Sequence, residues 1–262
     1  MPNAKLLIAN WKMELSATES RALAADLAGR TVGLGLGSLT VAVCPSFEAL
    51  APVAEALRGS DLLLGAQDVF WEGSGAFTGE VSPDGLKELG CRLCLVGHSE
   101  RRRVMGETDE MVGLKATALL KVGMMPVICV GETAEERESG RRDETVVRQL
   151  RAALSGLPSS SAEESPAVTV AYEPVWAIGG GKPVDPDGAA EACRLIRDEL
   201  SGIDGRLGVS FRVIYGGSVD VDNLESFLSR PEIDGALVGS ASLSADGFLS
   251  LAKIASVLSP RI

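Results

Sequence analysis

The chain has 262 residues, long enough for one large domain with a substantial buried core. Hydrophobic residues make up 45% of it, which excludes a disordered protein, and a net charge of -11 argues against broad binding to a phosphate backbone. Any anionic ligand must therefore be gripped by local groups.

Eight short apolar runs are expected as strands: Leu6 to Asn10, Thr40 to Cys44, Leu62 to Ala66, Leu93 to Gly97, Pro126 to Val130, Val168 to Tyr172, Arg212 to Gly216 and Gly235 to Gly239. Most are continuously apolar rather than alternating, the pattern of strands covered on both faces in a parallel sheet. Helical patterns lie between them. Ser16-Ala17-Thr18-Glu19 and Thr133-Ala134-Glu135-Glu136 each match a capping box. The mixed-charge stretch from Glu135 to Glu144 reads as a solvated helix face. Ala189, Ala192, Cys193 and Ile196 share one face at helical spacing, as do Phe248, Leu251, Ala252 and Ala255. No linker divides the chain, so residues 1–262 are expected to form a single domain.

Strand-helix units in this number suggest a closed (β/α)8 barrel of the TIM type, an α/β fold with eight parallel strands and outer helices. The alternative is an open doubly wound sheet. The polar residues favour closure: Asn10 and Lys12, His98, Glu173, Ser218, and Gly239 with Ser240 fall at or just after the ends of runs one, four, six, seven and eight. Only a closed barrel gathers those five ends around one mouth.

His98 is the one histidine of the chain, placed where run four gives way to Ser99-Glu100-Arg101-Arg102. At a helix start the dipole favours the uncharged imidazole, leaving an N–H to polarise a substrate oxygen. Glu173 precedes Pro174, which restricts it to extended backbone and points it from a strand end. One imidazole and one carboxylate at the mouths of two strands can move a proton beside a carbonyl group. Lys12 offers a fixed cation for an anion, and the glycine-containing segments Tyr215 to Ser218 and Val238 to Ser240 let backbone N–H groups approach a phosphate.

Other chemistries fit less well. Gly33-Leu34-Gly35-Leu36-Gly37 lacks dinucleotide-loop spacing, Gly181-Lys182-Pro183 is no P-loop, and no G-x-S-x-G elbow is present. Cys91-Arg92-Leu93-Cys94 has no second pair to complete a zinc site, so both cysteines are expected to pack in and beside a buried strand. Glu100-Arg101-Arg102-Arg103 is too short for a nucleic-acid patch and is expected to pair within the barrel rim. An odd number of cysteines, five, suits a reducing compartment. With no signal-peptide pattern and no apolar run near the ~18 residues that span a bilayer, a cytoplasmic protein without membrane contact is expected.

In their order along the chain, Ala9-Asn10-Trp11-Lys12-Met13, Gly65-Ala66-Gln67-Asp68, Gly75 to Ser82, Val96 to Arg102, Cys129-Val130-Gly131-Glu132, Ala171 to Gly179 and Tyr215 to Val219 closely resemble the motifs of the triosephosphate isomerases, over nearly the whole length. The resemblance implies isomerisation of dihydroxyacetone phosphate and D-glyceraldehyde 3-phosphate through an enediolate, a step of glycolysis and gluconeogenesis, with no cofactor and no metal. It assigns Glu173 as the base, neutral His98 as the electrophile, Lys12 as the stabiliser of developing negative charge and Asn10 as the group that orients the substrate oxygen; this enzyme is itself a standard worked case of pKa tuning. The phosphate would rest on N–H groups near Gly179, Ser218, Gly239 and Ser240. Pro174 to Lys182 would form a lid, and Gly73 to Gly79 a loop inserted into a partner subunit of a homodimer.

Five positions depart from the family pattern: Gly180 for Thr, Pro183-Val184 for a small polar hinge, Ser240 for the second glycine of the phosphate turn, and Asp68 for Asn. The altered lid and Ser240 leave open an isomerase for a four-carbon ketose phosphate. A non-catalytic sugar-phosphate-binding barrel is the reading from another class.

Overall fold

The computed structural model describes residues 4–157, 167–178, 184–207 and 210–259. Among them are eight strands: β1 (Leu6–Asn10), β2 (Thr40–Cys44), β3 (Leu63–Ala66), β4 (Leu93–Val96), β5 (Met125–Val130), β6 (Ala167–Tyr172), β7 (Ser210–Tyr215) and β8 (Gly235–Val238). The helices are α1 (Ala17–Thr31), α2 (Leu50–Ala56), α3 (Pro83–Glu88), α4 (Ser99–Met105), α5 (Asp109–Lys121), α6 (Ala134–Glu138), α7 (Arg142–Leu154), α8 (Pro186–Leu207), α9 (Leu224–Leu228) and α10 (Ala245–Val257). The strands pair in sequence order, and β8 returns in parallel to β1 to close the barrel.

The apolar runs are continuous because both faces of the sheet are covered. Leu6, Ile8, Ala42, Leu93, Leu95, Val127, Ala171, Ile214 and Leu237 fill the barrel interior. Leu7, Ala9, Val41, Val43, Val168 and Val170 face the helices instead. Ala189, Ala192, Cys193 and Ile196 on α8, and Phe248, Leu251, Ala252 and Ala255 on α10, are buried in that outer layer as their spacing predicts. Gly235 is a steric requirement of closure: a Cβ there would lie 1.9 Å from the Leu6 carbonyl oxygen.

Both predicted capping boxes are present, at Ser16 and Glu19 and at Thr133 and Glu136. The charged stretch from Glu135 to Glu144 differs from the expected single helix face. It is broken between α6 and α7, with Gly140 at φ 72°, a left-handed conformation that glycine adopts without a Cβ penalty.

All five cysteines are free and buried, and Cys94 lies in β4 as expected. Burial pushes the Cys91 thiol up to about 12 and the Cys94 thiol well above its ordinary value, which disfavours the thiolate that metal binding needs. Register aligns the strand ends: Asn10 lies beside Cys44, Val130 beside Tyr172, and Tyr172 beside Tyr215. The loops after β1, β4, β6, β7 and β8 consequently meet at one mouth.

Candidate active site

At that mouth a cavity of about 360 Å³ is lined by Asn10, Lys12, His98, Glu173, Ile178, Gly216, Gly217, Ser218, Gly239 and Ser240, among others. Every site residue expected from the sequence and lying within the described residues is in this lining. Gly179, Gly180, Lys182 and Pro183 lie outside the described residues.

Gly97, at φ 71°, turns the chain out of β4 so that His98 becomes the N-cap of α4. A side chain at 97 would strike Val112 and Arg102. The Nδ1 atom of His98 accepts the Glu100 N–H at 3.3 Å, which leaves the imidazole N–H on Nε2. Nε2 faces Glu173 Oε1 at 3.3 Å.

Glu173 is carried at the end of β6, its N–H donating to the Val130 carbonyl at 2.7 Å. The side chain is buried, and Oε2 accepts the Ser99 N–H at 2.9 Å. Oε1 makes no hydrogen bond among the described residues, although His98 Nε2 lies 3.3 Å away. One lone-pair face of a buried carboxylate is thus left open beside an imidazole N–H. Two glycines make the room: a Cβ at Gly131 would lie 1.8 Å from the Glu173 carbonyl oxygen, and one at Gly216 would lie 2.9 Å from its Cγ.

On the opposite wall, Lys12 is the non-glycine residue with positive φ among the described residues, at 49°. Asn10 Oδ1 accepts its N–H at 3.1 Å, and Gln67 Nε2 donates to its carbonyl at 2.7 Å and to that of Cys44 at 3.0 Å. Backbone strain at the cation is thereby held by side chains from β1 and from the loop after β3. Lys12 Nζ donates to Glu100 Oε1 at 2.5 Å. Burial opposes the charge on Glu100, but the bond from Lys12 and the neighbouring positive charges outweigh it and hold the carboxyl below its ordinary value.

The start of the expected lid is rooted by contacts that local sequence does not mark. Trp176 Nε1 donates to Glu132 Oε1 at 2.8 Å, and the Tyr172 hydroxyl donates to the same carboxylate at 3.1 Å. Burial first, and the Glu132 charge second, keep that phenol protonated. Arg137 lies over the Trp176 ring, 4.2 Å from its centroid, so the charged stretch on α6 packs on the start of the expected lid rather than only facing water. Rim pairing of the arginine run is as expected: Arg101 meets Asp68 at 2.8 Å, and Arg102 meets Asp109 at 2.6 Å.

A (β/α)8 barrel with a buried carboxylate and an imidazole N–H converging on a cavity beside a lysine defines a class, the enzymes that shift a proton next to a carbonyl. The sequence model of the triosephosphate isomerase family matches residues 5–255. The chain is 45% identical over 260 residues to the triosephosphate isomerase of Roseiflexus castenholzii, covering 98% of each. It is also 45% identical to that of Carboxydothermus hydrogenoformans, covering 93% of this chain and 96% of that one. The crystal structure of triosephosphate isomerase from Bartonella henselae superposes with a TM-score of 0.84 at 32% identity, covering 96% of this chain and 99% of the other. The chain belongs to the triosephosphate isomerase family and is an intramolecular aldose-ketose isomerase.

Proposed function

We propose that this pocket interconverts dihydroxyacetone phosphate and D-glyceraldehyde 3-phosphate through an enediolate. The observation that carries the reading is the pair formed by Glu173 Oε1 and His98 Nε2, buried and 3.3 Å apart at the barrel mouth. Glu173 takes the proton from the carbon beside the carbonyl and returns it to the former carbonyl carbon. His98 donates its Nε2 proton toward the carbonyl oxygen, Lys12 offsets the charge that develops there, and Asn10 orients that oxygen. Backbone N–H groups near Gly179, Ser218, Gly239 and Ser240 take the phosphate, in a chain whose net charge would otherwise repel it. The lid from Pro174 to Lys182 keeps water from an intermediate that can expel its phosphate.

Neither a four-carbon ketose phosphate isomerase nor a non-catalytic barrel is favoured, since relatives matched at nearly full length are triosephosphate isomerases. The match over residues 5–255 supports a single barrel domain. A homodimer is supported by apolar side chains exposed after four successive strands: Met13 (89%) after β1, Phe47 after β2, Phe77 after β3, and Val104 with Met105 (66%) on α4. Phe77 belongs to the Gly73 to Gly79 loop, exposed throughout, which would insert into the partner. Among the described residues no helix is long and apolar enough to cross a membrane, and the free cysteines support a cytoplasmic setting.

The test is conversion of glyceraldehyde 3-phosphate by the purified protein, with its mass in solution measured by sedimentation. Rapid conversion by a species of twice the chain mass is expected. No conversion overturns the activity, and an active species of one chain mass overturns the dimer.

A further inference from the structure

The turn that closes the cavity after β8 is held from beneath by a side chain that takes no part in the chemistry above. Chain leaving β8 at Val238 passes through Gly239 into a short 3-10 turn, Ser240–Ser242. Gly239 and Ser240 line the cavity, whereas Ser242 is fully buried behind them. The Ser242 hydroxyl lies 2.6 Å from the Gly239 carbonyl oxygen and 3.3 Å from that of Val238. The Ser242 N–H donates to the same Gly239 carbonyl at 2.9 Å. One carbonyl thus receives two donors from one buried residue.

A trans peptide carries its C=O and N–H on opposite edges, and no cis peptide occurs among the described residues. Fixing the Gly239 carbonyl inward on Ser242 therefore fixes the Ser240 N–H outward, on the cavity side. A backbone donor is useful to an anion only when its direction is set before the anion arrives. Alanine would fill nearly the same space, so what the hydroxyl adds is the bond, and a buried hydroxyl carries a desolvation cost that the bond must offset.

We propose that Ser242 is a positioning residue for phosphate recognition, locking the Gly239–Ser240 peptide so that its N–H is aimed at the phosphoryl end of the substrate. This rests on the reading that the Ser218 and Gly239 end of the pocket takes the phosphate. The test compares the parent with Ser242→Ala and Ser242→Thr in three measurements: kcat and KM for glyceraldehyde 3-phosphate, the competitive inhibition constant of inorganic phosphate, and turnover of unphosphorylated glyceraldehyde. In Ser242→Ala, KM and the phosphate inhibition constant are expected to rise together by about fivefold to tenfold, the size of one lost neutral hydrogen bond. Turnover of glyceraldehyde, which has nothing to place on the turn, is expected to stay at the parental level. Ser242→Thr keeps the hydroxyl and is expected to restore both constants. Should the alanine variant fail to fold, Ser242→Cys, similar in shape but a weak donor, reads the same constants. Unchanged phosphate inhibition, or an equal loss on both substrates, overturns the role of Ser242. A parent that neither converts the triose phosphate nor is inhibited by phosphate overturns the reading of the pocket instead.

Discussion

Two groups of buried carboxylates stand on the same side of the barrel, and they are treated in opposite ways. Glu173 keeps one oxygen without a hydrogen bond among the described residues, facing an imidazole across 3.3 Å. Asp68 and Glu107 are closed into a ring with Arg101 and Lys115: Lys115 Nζ lies 2.7 Å from Asp68 and is in direct contact with Glu107, while Arg101 bridges the same two acids. Lys115 is almost fully buried. Glu107 Oε2 also lacks a hydrogen bond, but each acid of the ring is paired with two cations, which leaves it chemically quiet and structurally committed. A carboxylate left half-paired costs stability but keeps a lone pair for a substrate proton. Neither burial nor an unpaired oxygen therefore marks the reactive acid by itself; the difference lies in the lysine and arginine partners that the ring acids have and Glu173, among the described residues, lacks.

That contrast predicts opposite outcomes for two variants. Glu173→Gln keeps the volume and an oxygen for the Ser99 N–H but removes the base. Turnover is expected to fall by about 10²- to 10⁴-fold, with a urea midpoint equal to or above the parent's. Near-normal turnover would refute the assignment of the base. Lys115→Met should do the reverse, because it strands two carboxylates with Arg101 alone. Removing one partner of a buried pair costs about 3–5 kcal/mol, so the urea midpoint should drop markedly while turnover per folded molecule holds. If Lys115→Met proved catalytically dead but stable, the ring would belong to the chemistry and the contrast would fail.

The half-paired site was more legible in the sequence than the cation-paired ring. His98 and Glu173 stand where apolar runs stop, and the run boundaries came within two residues of the strands because both sheet faces are buried. Strand ends are the local signal that a barrel turns into a site. The ring, by contrast, joins Asp68 to Lys115 across 47 positions. No periodicity records such a pairing, and Asp68 stood out only as a departure from the family pattern. Gln67 and Glu132 lay inside recognised motifs, yet their tasks, holding the strained Lys12 carbonyl and anchoring Trp176, became visible only with the side chains in place. The break at Gly140 was missed because charge pattern alone cannot register a left-handed residue.

The smallest expected effect concerns acid, and it separates the two acids within the ring. For Glu107, burial opposes ionisation, but hydrogen bonds from Lys115 and Arg101 prevail and its pKa is lowered. Asp68 shifts the other way, raised first by burial and further by the Glu107 charge, against Lys115 and Arg101. A lowered folded-state pKa means that the stability Glu107 contributes is present above the ordinary glutamate value, about 4.3, and is lost as pH falls through the depressed one. The raised pKa of Asp68 gives the reverse linkage: its contribution is present below the ordinary aspartate value and is lost as pH rises through the elevated one. Glu107→Gln should therefore be less stable than the parent at neutral pH, with the gap between their urea midpoints narrowing as the solution is acidified below the ordinary glutamate range. A gap that stayed constant from neutral to acid pH would mean that Glu107 is held by shape rather than by charge, and the ring would then no longer contrast with Glu173 on electrostatic grounds.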